Sequence, residues 1–129
     1  MEGEIFARVA LAIVLLIAGC VMIWMGQAAA SGRLSRNRLA GIRIPSTMAS
    51  EEAWRAAHIR ARVPIVSSGY AAFACAIFAL LPVSMPAVMT GISVGCAVMV
   101  GLVLYGAVVG SRAARAVALR QESASEMQE

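Results

Sequence analysis

The chain has 129 residues, 60% of them hydrophobic, and a mean hydropathy of +0.80. Soluble domains run at about 45–50% apolar, and a chain this short cannot wrap a soluble core around such an excess, so the bilayer is the expected solvent. The formal net charge is +4, and all eleven cations are arginine. They flank apolar runs instead of forming a basic face with aromatic platforms, which excludes nucleic acid as a partner.

The first apolar run covers residues 9–26 and continues softly to 30. About 20 apolar residues cross the roughly 30 Å hydrocarbon layer, so this is the first transmembrane helix, about 7–30. A cleaved signal peptide is its rival, because Ala28-Ala29-Ala30 resembles a cleavage site. Glu2 and Glu4 with a single Arg8 are not a basic leader, and the run exceeds a signal core in length. Residues 31–62 form a polar loop with seven arginines against two glutamates, a net of +5. The second helix is expected at 63–82, opening at Pro64 and closing at Pro82. A tight, uncharged connection leads to the third, at 87–110, about 36 Å long. Residues 111–129 form a basic, then acidic tail whose last part, from Gln121, is expected to fray. The fold class is all-α: a single polytopic membrane domain with three transmembrane helices.

Cys20, Cys75 and Cys96 each lie inside an apolar run and read as small hydrophobes. All three fall near mid-membrane, so a soft-metal site is conceivable. Metal ligands bring closer spacing or histidine partners, so no metal and no cofactor is expected.

The loop carries the information. Gly41 and Pro45 punctuate an extended stretch. Ser50 reads as an N-cap, with Glu51 and Glu52 in the first helical turn, where carboxylates suit the helix dipole. At 100° per residue Ala53, Trp54, Ala57 and Ala61 share one face, opposite Glu51, Glu52, Arg55 and Arg62. This predicts a short interfacial amphipathic helix, with Trp54 at headgroup depth, arginines facing anionic lipid headgroups and Pro64 marking the turn into the next helix. Its alanines would let another helix approach closely.

In this loop the chain resembles the SdpI-type membrane proteins of bacteria. Their motif N-R-x-x-G-I-R-T-P-W-T is matched by Asn37, Arg38, Gly41, Ile42, Arg43, Pro45 and Thr47. The following S-E-E-x-W-x-x-T-H-R is matched by Ser50, Glu51, Glu52, Trp54 and His58. The departures are Ile44 for threonine, Ser46 for tryptophan, Ala57 for threonine and Ile59 for arginine. The resemblance implies a role like that of the family's namesake, a membrane protein that gives immunity to a peptide toxin and sequesters a repressor at the membrane.

Each motif residue also has a plainer reading. His58, the one histidine, is either a proton-sensitive group or a residue hydrogen-bonded to backbone or lipid. Glu51 and Glu52 point about 100° apart, a poor acid/base pair. Arg43 could hold a ligand carboxylate or a lipid phosphate, but is expected to bridge to the Glu51-Glu52 turn, with Trp54 and His58 beneath it. No nucleophile–base or phosphate-loop pattern is present, so the chain is read as non-enzymatic, and no charge lies inside a span, which weighs against a proton-coupled transporter or ion channel. Small residues mark helix-packing seams: Ser67, Ala71, Cys75 and Ala79 on the second helix, and Gly91 with Gly95 and Gly106 with Gly110 on the third. Either they pack the protein's own bundle, or one contacts a second copy or a membrane partner.

Two functions remain open. One is recognition of a peptide, lipid or cytoplasmic regulator through the loop; the other is an accessory subunit of a larger membrane complex, binding through its helices. The arginine asymmetry places the loop and C-terminus in the cytoplasm and the N-terminus outside. Cysteine placed at Ser84 should therefore react with an impermeant maleimide in intact cells, and cysteine at Ser35 should not. The reverse pattern would overturn this orientation.

Overall fold

A computed structural model describes residues 1–37 and 39–128 of the chain. It contains α1 (Glu2–Ala30), the single turn α2 (Pro45–Met48), α3 (Glu51–Ala79) and α4 (Met85–Glu126). The three long helices are each long and apolar enough to cross a membrane. At 29 residues α1 is about 43 Å long, more than the hydrocarbon thickness. It ends where Gly32 takes φ +79° and the Leu34 N–H donates back to the Ala28 carbonyl at 3.0 Å. Ser50 caps α3, its hydroxyl accepting the Ala53 N–H at 3.1 Å.

The loop's amphipathic helix exists, but as the first three turns of α3, not as a separate element lying flat. Pro64 does not turn the chain. An interior proline removes one helical hydrogen bond and costs about 3 kcal/mol. Its ring is buried against α4, where a methyl on Gly106 would lie 3.2 Å from Pro64 Cγ, and this packing holds the helix through the defect. The tail likewise does not fray at Gln121. Its alanines and arginines favour helix, Ala114 packs on Ala53 and Ala57, and the Gln121 amide donates to Glu52 at 2.8 Å.

Helix α3 stands in the middle, with α1 on one side, α4 on the other and only marginal contact between those two. Lipid gives little hydrophobic drive between helices, so they associate through close packing at small residues. At the α1–α3 crossing Gly19 and Gly69 meet backbone to backbone: a methyl on either would lie 2.8 Å from the other's carbonyl oxygen. Both glycine seams of α4 are used against α3. Gly91 faces Phe78, Gly95 faces Cys75, and a methyl on Gly110 would lie 2.9 Å from the Ala57 carbonyl oxygen. Both seams of α4 thus pack within the protein's own bundle.

On α3 the expected seam is displaced by one residue. Cys75 and Ala79 are buried, but Ser67 and Ala71 are only half-buried; Ser68 and Ala72 are fully buried instead. Two neighbours, not one, press on α3, and the buried stripe centres between them. The buried Ser68 hydroxyl is satisfied within its own turn by the Ile65 carbonyl at 2.7 Å. Outward faces are apolar, with Ile13, Ile17 and Val21 on α1 and Val94 and Val98 on α4 exposed.

At the hairpin end Arg8, read from the sequence only as a weak leader charge, does structural work. Its guanidinium donates to the carbonyls of Ala79 (3.3 Å), Leu81 (2.7 Å) and Val83, and pairs with Glu4 at 2.8 Å. These include carbonyls at the end of α3 that lack helical donors. Replacing Arg8 with glutamine should cost about 1–3 kcal/mol, read as a clear fall in melting temperature in mild detergent. An unchanged melting temperature would refute the cap.

Candidate functional site

The motif loop folds over the opposite end of the bundle, held by its own backbone. The Trp54 indole N–H donates to the Leu34 carbonyl at 3.1 Å. The Arg36 N–H donates to both Glu51 carboxylate oxygens, at 3.2 and 3.3 Å, while its guanidinium reaches the Met48 carbonyl at 2.8 Å. Asn37 builds a turn: its Oδ1 accepts the Leu39 and Ala40 N–H groups, each at 2.9 Å. Pro45 opens α2. The buried Thr47 hydroxyl donates to the Ile42 carbonyl at 2.7 Å and accepts the Ile44 N–H at 3.1 Å.

Gly41 brings this loop onto α3. Its φ is +97°, a region side chains rarely adopt. A methyl there would lie 2.6 Å from His58 Nε2 and 2.8 Å from Trp54 Cη2. The Trp54 and His58 rings, one turn apart, stack with centroids 4.1 Å apart. The Ile42 N–H donates to His58 Nε2 at 3.0 Å, so Nδ1 carries the proton and donates to the Trp54 carbonyl at 2.8 Å. Both ring nitrogens are thereby committed to backbone. Burial pushes the His58 pKa below its ordinary 6.5, and the Trp54 carbonyl opposes this in part.

The site thus joins Gly41, Thr47, Trp54 and His58, while Ser50 caps the helix beneath them. One expectation is corrected. Trp54 is not an anchor exposed to headgroups; it is 1% exposed, because the loop covers it and uses its N–H. The Glu51-Glu52 turn is held by groups the sequence did not suggest, the Arg36 N–H at Glu51 and the Gln121 amide at Glu52. Arg43 is exposed on the outside of the loop, and Arg38 lies outside the described residues.

Beneath the loop lies a cavity of about 200 Å³ that was not foreseen. Met22, Met25 and Gly26 of α1 form one wall, and Val103 and Ala107 of α4 the other. His58, Ala61 and Ile65 of α3 form the floor, Ile42 comes from the loop, and Arg62 is the one charged side chain on its lining. Paired methionines adapt to irregular apolar shapes, and that spacing was the available sequence signal. With the histidine committed to backbone and no nucleophile on the lining, this geometry suits binding of an apolar group.

Neutral His58 is favoured in the folded state, so the unfolded chain takes up a proton at higher pH than the folded one does. Stability should therefore be full above about pH 6.5 and fall as the pH drops below it. Melting temperatures between pH 7.5 and 5.5 should show this slope, and His58→Gln should remove it. An identical slope in the variant would assign it elsewhere.

Among protein-family models, that described as the SdpI/YfhL protein family matches residues 33–111, which span the loop, α2, α3 and the apolar part of α4. No curated protein and no solved structure matches the chain. With three helices able to cross a membrane and more than half its length within that match, the chain is a membrane protein that belongs to the SdpI/YfhL protein family.

Proposed function

We propose that this protein is a non-enzymatic receptor for a membrane-embedded apolar peptide, and that it acts in immunity as the family's namesake does. The observation that carries this reading is the cavity beneath the motif loop, walled by all three long helices and roofed by Ile42. A single ligand side chain there would touch all three long helices and, through Gly41 and Ile42, the motif loop. Its apolar lining suits a Leu- or Phe-like group, and Arg62 at its lining suits a carboxylate or a carbonyl on the same ligand. The loop and the end of α4 face the cytoplasm in this reading, because both are rich in arginine.

The test places a photo-crosslinking amino acid at Met25, inside the cavity, and separately at Val98, on the outward face of α4, in cells of the native host. A discrete peptide adduct is expected at position 25 and none at 98. Ala61→Leu, which fills the cavity, should remove most of that adduct while the protein still folds. Adducts to lipid alone, or cross-links from 98 to a large membrane subunit with nothing at 25, would overturn the reading.

A further inference from the structure

On a face distinct from the cavity, α3 and α4 enclose a second groove. It is lined by Arg60, Val63 and Pro64 of α3 and by Tyr105, Val109 and Arg112 of α4, and its volume is about 620 Å³. The residues recur at helical spacing on each helix, so each wall is one continuous face. The arginines stand at the loop-side mouth, just where the apolar parts of the two helices begin, and the apolar residues run deeper. Among the described residues neither Arg60 nor Arg112 has a hydrogen-bond or ion-pair partner. Two unpaired guanidiniums on opposing walls attract an anion, and a planar fork suits phosphate oxygens.

Pro64 adds a further polar feature. It has no N–H, so the Arg60 carbonyl lacks the donor that residue i+4 of a helix ordinarily supplies. A phosphate with a hydroxyl-bearing headgroup satisfies both needs. The apolar wall below requires an attached chain, which a free phosphate lacks.

We propose that this groove binds one anionic phospholipid, its phosphate between Arg60 and Arg112 and an acyl chain along Val63, Pro64, Val109 and Tyr105. The site is independent of the peptide cavity. It differs from general attraction to an anionic surface in depending on two particular arginines.

Full-length protein in mild detergent, mixed with equal amounts of phosphatidylglycerol and phosphatidylcholine, can be read by native mass spectrometry. The wild type is expected to retain one phosphatidylglycerol in preference. Arg60→Gln and Arg112→Gln should each lower that retention about tenfold. Arg55→Gln and Arg115→Gln, which remove the same charge outside the groove, should leave it unchanged. Melting temperature checks folding, and Arg60→Lys, which keeps the charge, should retain the lipid better than Arg60→Gln. Equal losses in all four glutamine variants would overturn the site, as would no headgroup preference in the wild type. Displacement of the lipid by an equal amount of inorganic phosphate would overturn its assignment to lipid.

Discussion

Helices in lipid are not driven together by water, so what holds three of them in one arrangement is how closely their backbones can approach. Here that approach is made on both sides of a single helix. Gly19 meets Gly69 where α1 crosses α3, and Gly110 meets the Ala57 carbonyl where α4 lies on it. A β-carbon at these contacts forces the axes apart. With α3 fixed between its neighbours, Ala53 and Ala57 receive Ala114, the extended end of α4 is held upright, and Glu52 meets Gln121. The motif loop then has a rigid platform to close upon.

That platform explains why the motif is spaced as it is. Trp54 and His58 are one turn apart and face the same way, so one short stretch of loop can cover both. Only a glycine fits where the loop crosses them, since Gly41 is both left-handed and in contact with the two rings. Thr47 then closes the loop on itself through Ile42 and Ile44. Two of the four departures from the family pattern, Ala57 and Ser46, fall at places where this packing is felt. Ala57 is fully buried beside Gly110, where a threonine would carry a branched side chain into the α3–α4 contact. Where the family carries an indole, the buried Ser46 hydroxyl has no hydrogen-bond partner among the described residues.

The spans, the Ser50 cap and the acidic first turn of α3 were legible because each depends on local sequence: length of apolar run, side-chain capping, helix dipole. What was not legible depends on a distant neighbour. Pro64 signals a break in isolation, and only Gly106 on another helix makes it tolerable. Trp54 next to arginines signals an interface, and only the folded loop buries it. Arg8 is 71 residues from the Ala79 carbonyl it holds. The cavity had the weakest signal of all, since its walls come from helices that barely meet each other. Within the motif, Glu51 accepts a backbone amide, that of Arg36, which no side-chain pattern reveals.

The double attachment of α1 has a consequence for access. One end of this helix is continuous with the motif loop, and the other is fastened to the α3–α4 connection through Arg8. Neither end can swing outward without breaking bonds, whereas its middle faces α4 across a seam with few contacts. In the reading proposed above, a ligand of the cavity comes from the bilayer, past Met22 and Met25 of α1 and Val103 and Ala107 of α4. What governs its occupancy is the amount dissolved in the bilayer: a compound that partitions a thousandfold into lipid meets the cavity at about a thousand times its aqueous concentration, worth about 4 kcal/mol of apparent affinity with no added contact.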